Sequence, residues 1–276
     1  MSATEPRNLL VQIHVPKTGG MTLQGTLHRV YGDARFYFVQ NPQAMSDELE
    51  RFATRLAATP SLRMVSGHIA HGIAEAYGAS GRYFTALRDP VDRVLSHYRH
   101  HKRKGWNLTL REFLETQGWG SWNVQARMLS GFELDDQRKG LWTGLPGTMQ
   151  PADAYAERWS EDLTQRALDN LDACAVVGLT HRFDEYVTLL ATTLGWPLRH
   201  RWYVTTNVAP TRRTERLDGS DLRAIWARTE HDHVLWRVAR DRFAQDWAAA
   251  GRAGTASRAL TRAASRVAGS TRRRKR

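Results

Sequence analysis

Lys17, Thr18, Gly19 and Gly20 follow directly on an apolar run, Leu9–Val15, and stand just before a helical pattern, Met21–Val30. A strand feeding a Lys-Thr-Gly-Gly turn that opens a helix makes an anion site, because the first helical amides lack partners and the helix dipole is positive there. Gly19 and Gly20 let the backbone come close, Lys17 brings a mobile positive charge, and Thr18 and Thr22 bring hydroxyls. This is not the Walker arrangement, in which the lysine follows the glycines. A glycine-rich turn with a surface lysine is the plain alternative. A second constellation lies in Phe84–Tyr98, again where a strand pattern ends. Arg88 is able to hold a phosphate in two-point fashion, and Ser96 comes about two helical turns later. The structural alternative is Asp89 capping the helix with Arg88 paired to it.

Histidines supply the other chemistry. His68 follows a short apolar run, Leu62–Ser66, and Gly67, so it emerges at a strand end. A neutral imidazole with a pKa of about 6.5 suits removal of a proton from an alcohol. His14, just before the phosphate loop, and His71, three residues beyond His68, are candidates to back it or to touch an acceptor. His68 and His71 lack a third metal ligand of the usual kind, so no metal site is expected. Arg127, in an Asn-x-Gln-x-Arg stretch, is a candidate for the acceptor site. Arg212, after the loop-like Asn207–Pro210, is a candidate to close over a nucleotide or meet an anionic acceptor, with a solvated surface role as the alternative. His97, His100 and His101 read as surface residues. Trp106, Trp119, Trp122 and Trp142 sit in polar surroundings and either line a pocket or pack.

Such residues need rigid elements to hold them. Strand patterns occur at Asn8–His14, Arg35–Val39, Leu62–Ser66, Arg82–Leu87 and Ala173–Gly178. Helical periodicity occurs at Ala44–Ala58, Val91–His101, Leu108–Leu114, Asn123–Gly131, Ala152–Asp172, Phe183–Leu194 and Asp218–Ala248, the last interrupted near His231–His233. Strands alternating with helices predict an α/β fold, a mostly parallel sheet with helices on both faces. In such sheets ligands bind beyond the carboxyl ends of the strands, where Lys17, His68 and Arg88 fall.

The chain has 276 residues and a formal net charge of +12. Residues 251–276 hold eight Arg, one Lys and no acid, which leaves only +3 for residues 1–250. The division expected is therefore a catalytic body, 1–250, and a basic, flexible tail, 251–276. Arg258, Arg262 and Arg266 recur every four residues, and like charges at that spacing disfavour an isolated helix. The tail also admits weak contact with an anionic membrane or a polyanion. The single cysteine, Cys174, excludes an intramolecular disulfide and reads as a small buried residue. No signal-like or membrane-spanning run is evident, so a cytoplasmic location is expected, with peripheral contact at the inner face of the membrane as a variant.

Taken together, H14-V-P-K-T-G-G20, S66-G-H68, L87-R-D-P-V-D-R-V-L-S-H-Y98 and N123-V-Q-A-R-M-L-S-G131 resemble, in order and spacing, the sulfotransferase family that includes heparan sulfate 2-O-sulfotransferase and its bacterial relatives. V177–Glu185 and Asn207–Pro210 add to the likeness. The resemblance implies a P-loop-like sulfotransferase fold and 3'-phosphoadenosine 5'-phosphosulfate (PAPS) as donor. It implies that Lys17, Thr18, Gly19, Gly20 and Thr22 hold the 5'-phosphosulfate, Arg88 and Ser96 hold the 3'-phosphate, and His68 is the base. Lys17 would then stabilise the leaving phosphate. The expected reaction is O-sulfation of a carbohydrate, glycolipid or other hydroxylated acceptor, with no specific nucleic-acid partner. The animal enzymes carry a histidine where this chain has Ser66, and they are Golgi membrane proteins; both departures bear on the acceptor. The competing classes are a nucleotide-dependent phosphotransferase and a polyanion- or nucleic-acid-binding protein acting through its tail. The sequence leaves the oligomeric state open.

Overall fold

The structure, a computed structural model, describes residues 7–39, 45–134, 155–197, 200–204 and 217–274. Five strands, β1 (Asn8–Ile13), β2 (Phe36–Val39), β3 (Met64–Gly67), β4 (Ser80–Leu87) and β5 (Val176–Leu179), form one sheet in the order β2-β3-β1-β4-β5. Every pairing is parallel. Parallel strands are covered on both faces, so they read as continuous apolar runs. Leu9, Val11 and Ile13 of β1 and Phe84 and Leu87 of β4 are buried accordingly. The register sets Ile13 beside both Gly67 and Thr85, and Leu87 beside Leu179. The residues that follow β1, β3, β4 and β5 are thereby delivered to the same edge of the sheet.

The crossovers are helices α1 (Gly20–Tyr31), α2 (Met45–Ala58), α3 (Ile73–Ala76) and α4 (Pro90–Arg103). Then come α5 (Leu110–Thr116), α6 (Gly118–Ser121), α7 (Val124–Ser130), α8 (Glu161–Ala173), α9 (Phe183–Thr193), α10 (Gly219–Arg228) and α11 (Glu230–Arg274). Local chemistry sets several boundaries. Asp89 accepts from the amide of Asp92, and Pro90 opens α4, where a missing N–H costs nothing. Thr109 with Glu112 and Asp218 with Asp221 form capping boxes at the starts of α5 and α10. The break foreseen near His231 falls at Thr229, between α10 and α11.

One core runs from the sheet through α2, α7, α8 and α9 to Leu235, Trp236, Ala239 and Phe243 of α11. A second, smaller cluster joins Val94, Leu95 and Tyr98 of α4 to Phe113, Leu114 and Ile225. Cys174 is buried, and burial pushes its thiol pKa up to about 12. Among the described residues no helix is long and apolar enough to cross a membrane.

Beyond Gly251 the expectation of a flexible tail meets a different arrangement. The backbone turns sharply at Gly251 (φ 53°, ψ −144°) and then continues as helix to Arg274. Arg258 pairs with Glu185 at 3.0 Å and Arg262 with Asp184 at 3.7 Å. The repulsion between arginines four apart is met by two carboxylates on the first turn of α9, a tertiary contact that periodicity along one segment does not reveal.

Candidate active site

The phosphate loop is built by two residues in the left-handed region, Lys17 (φ 73°) and Gly19 (φ 89°). Glycine adopts this conformation freely, whereas for lysine it costs about 1–2 kcal/mol. The hydroxyl of Thr18 donates to the carbonyl of Val15 at 2.8 Å and closes the loop on itself. Gly19 is the N-cap of α1 and supplies no side-chain bond to the helix amides, and the first turn of α1 carries no acid. The positive end of a twelve-residue helix is therefore open to an anion. A Cβ on Gly20 would lie 1.9 Å from the His14 ring, and one on Gly19 would lie 2.9 Å from the Phe183 ring. Both glycines are required by close packing as well as by the approach of a ligand. Thr22 is buried in the first turn of α1.

His68 follows β3 and is half-buried. Its Nδ1 lies 2.7 Å from the carbonyl of His14. A carbonyl only accepts, so Nδ1 carries the proton and Nε2 presents the lone pair. Burial, opposed by this bond and reinforced by the Lys17 charge, lowers the His68 pKa to about 4, so the ring is neutral across the physiological range. The rings of His14 and His68 pack with centroids 4.4 Å apart. Burial, then the charges of His68 and Lys17, hold His14 well below the ordinary histidine value. Its Nδ1 is buried, with no hydrogen-bond partner among the described residues.

Arg88 leaves β4 with its backbone clipped at both ends by one side chain. Gln125 Oε1 accepts from its N–H at 2.9 Å and Gln125 Nε2 donates to its carbonyl at 3.0 Å. The guanidinium reaches across to donate to the carbonyl of Lys17 at 3.2 Å. Thr180, following β5, sets its hydroxyl 3.1 Å from the carbonyl of Thr18 and 3.0 Å from that of Leu87, and donates to one at a time. Lys17 thus meets Arg88 at the meeting point of three strand ends. Burial first, then the charges of Arg103, Arg88, Lys104 and Arg93, lower the Lys17 pKa to about 8. Neither Lys17 nor Arg88 makes an ion pair among the described residues.

The structure draws together Lys17, Thr18, Gly19, Gly20, His14, His68 and Arg88. Ser96 is half-buried on α4, and its hydroxyl makes no hydrogen bond among the described residues. His71 lies apart, stacked on Tyr83 with centroids 4.0 Å apart. Arg127, sought at an acceptor surface, is fully buried instead, with its Nη2 2.7 Å from Glu133 and its guanidinium 3.9 Å above the Tyr155 ring. His97 and His101, read as surface residues, are buried: their Nε2 atoms lie 3.0 Å apart and His97 Nδ1 donates to the carbonyl of Gly120. Residues i and i+4 of α4 share the inward face, which also carries Arg93. Trp122 packs against Tyr155 and Trp159, and Trp106 against His101. Arg212, Trp142 and Asn207–Pro210 lie outside the described residues. Sequence reading passed over Gln125, Thr180 and Phe183. The Asn-x-Gln-x-Arg stretch and the segment after β5 were visible, but which member faces the loop depends on strand order. Among the described residues no three His, Cys, Asp or Glu side chains are grouped as metal ligands are.

Residues 2–135 match the model of a family described as the sulfotransferase family. A crystal structure of the sulfotransferase from Alicyclobacillus acidocaldarius is similar over 85% of this chain and 100% of that chain, at 16% identity and a TM-score of 0.41. No curated protein matches. The matched residues, just under half of the chain, take in the phosphate loop, His68, Arg88 and α7, and the likeness is to that family in general, without showing heparan sulfate 2-O specificity.

Proposed function

We propose that the chain is a PAPS-dependent O-sulfotransferase acting on a hydroxyl of a carbohydrate or other hydroxylated acceptor. The observation that carries the reading is the approach of a neutral imidazole, His68, to a loop whose Lys17 and Arg88 have cationic neighbours and no ion pair among the described residues. The uncapped start of α1 and these two cations fit a ligand with phosphate groups at two points. Lys17, Gly19, Gly20 and the first amides of α1 would hold the 5'-phosphosulfate, and Arg88, with Ser96, the 3'-phosphate. Thr18 and Thr22 would contribute through backbone or hydroxyl contacts. The donor, when bound, supplies an activated sulfuryl group. His68 takes the acceptor's proton at Nε2 as the new O–S bond forms, and the His14 carbonyl steadies the imidazolium through Nδ1–H, the role an orienting acceptor plays beside a catalytic histidine. Lys17 takes up the charge that develops on the phosphate side of the S–O bond that breaks.

The test is the heat of titrating 3'-phosphoadenosine 5'-phosphate into the protein. Binding indifferent to Mg²⁺ and lost in Arg88→Ala supports the reading. His68→Ala is then expected to keep that binding while turnover falls by about 10²–10⁴-fold. Absence of binding, or a Mg²⁺-dependent preference for ATP, overturns it in favour of phosphoryl transfer.

A further inference from the structure

Helix α9 opens with Phe183, Asp184 and Glu185, and acids in a first turn sit well with the helix dipole. Both carboxylates also look toward the far half of α11. Glu185 meets Arg258 at 3.0 Å and is also paired with Arg182, and Asp184 meets Arg262 at 3.7 Å. Two serines on the same stretch reach the segment that follows α9: Ser257 Oγ accepts from Arg201 at 2.9 Å, and Ser265 Oγ accepts from the amide of Tyr203 at 3.0 Å. Tyr203 in turn donates its hydroxyl to Asp184 at 2.6 Å. Burial, with Asp184 adding to it, raises the phenol pKa and keeps it a donor. The Tyr203 ring stands edge-on to Phe183 at 4.9 Å, and Phe183 covers Gly19 so closely that a Cβ there would fall 2.9 Å from its ring. A continuous set of contacts therefore runs from the basic helix through Asp184, Tyr203 and Phe183 to the left-handed glycine that opens α1.

We infer that Phe183 and Tyr203 are positioning residues for the phosphate loop, and that Arg258 and Arg262 hold them in place as a clasp. A loop with two left-handed residues must be pre-set if its amides are to meet an anion without a further ordering cost. The Phe183 ring denies Gly19 the space to relax. The clasp consists of half-exposed ion pairs, so it is sensitive to salt. That the ligand is a 3',5'-bisphosphonucleotide rests on the function proposed above; the clasp itself does not.

The experiment uses the full chain in three forms: wild type, Arg258→Gln with Arg262→Gln, and Arg258→Lys with Arg262→Lys. Two quantities are read, amide hydrogen exchange over Lys17–Met21 and the affinity for 3'-phosphoadenosine 5'-phosphate. The glutamine pair is expected to exchange faster at the loop and to bind about two- to fivefold more weakly, while the lysine pair stays with wild type. Rising salt should move the loop exchange of wild type toward that of the glutamine pair and leave the pair's own loop exchange unmoved. Phe183→Leu, which keeps apolar bulk without the flat ring, should speed loop exchange with Arg258 and Arg262 intact. Unchanged loop exchange in the glutamine pair, or in Phe183→Leu, overturns the clasp. A loop that responds in a protein that does not bind the bisphosphate overturns the donor assignment alone.

Discussion

Arg93 and Arg127 are fully buried, and each has a buried carboxylate at hand: Asp232, 3.9 Å from Arg93 Nε, and Glu133, 2.7 Å from Arg127. Asp232 also accepts from the amide of Ala126 at 2.8 Å, and Asn123 accepts from the amides of His231 and Asp232. These groups lock α7 to the start of α11. Lys17 is only half-buried, yet the charges acting on it are all cationic, and Arg88, half-buried among Asp92, Arg99 and Asp89, makes no ion pair among the described residues. A buried charge is tolerated when its partner is built into the protein. A partly buried cation surrounded by like charge is tolerated where the partner arrives from outside, and perturbed groups gather at such places. The contrast separates scaffold from site more sharply than residue type does, since all four side chains are basic and three are arginines.

The contrast breaks most visibly at Asp232. Asp232→Ala leaves Arg93 buried without its counter-charge and is expected to cost about 3–5 kcal/mol of stability, read as a lowered urea midpoint at unchanged slope. A loss under about 1 kcal/mol would mean that the two cation sets do not differ in kind. Lys17→Met is the mirror experiment. Transfer should fall by about 10²–10³-fold while unfolding shifts by no more than about 0.5 kcal/mol, because one of several mutually repelling charges has gone. A large loss of stability there would make Lys17 part of the scaffold. The smallest effect is on pH dependence. His68 acts deprotonated and Lys17 protonated, so kcat/KM should rise through about pH 4 and level off, then fall through about pH 8. A bound anion favours the lysine cation, so the alkaline limb of kcat should lie above that of kcat/KM. An alkaline limb unchanged in Lys17→Arg would assign it to another group.

Much of the sheet was legible in the sequence because buried parallel strands are written as short apolar runs closed by glycine or proline. Leu9–Val15, Leu62–Ser66 and Ala173–Gly178 each announced a strand within a few residues of its place. The phosphate loop was legible for a related reason: its chemistry is local, a strand end, a turn and a helix start in one stretch. The neighbours of that loop were not. Gln125, Thr180 and Phe183 reach it only because β1 lies between β3 and β4, with β5 next along, and strand order leaves no mark in any single segment. His97 misled in the same way, since a polar residue on a buried helix face looks like a surface residue until its partner is known, and Arg127, a candidate for the acceptor site, has its partner in Glu133. The arginine repeat beyond Gly251 was read as self-repelling, which holds for the isolated helix but not beside Asp184 and Glu185.

Helix α11 has 45 residues. Drawn out straight at 1.5 Å per residue it would be a rod of about 67 Å, set against a radius of gyration of about 19 Å for a compact chain of this size. The turn at Gly251 folds that length back onto the body. Its backbone angles lie where a side chain would not fit comfortably, so one missing Cβ decides the outline of the particle. With a straight α11, the same sequence would give a lopsided molecule with its most basic stretch held far out in solvent, slower to diffuse and quicker to find any passing polyanion.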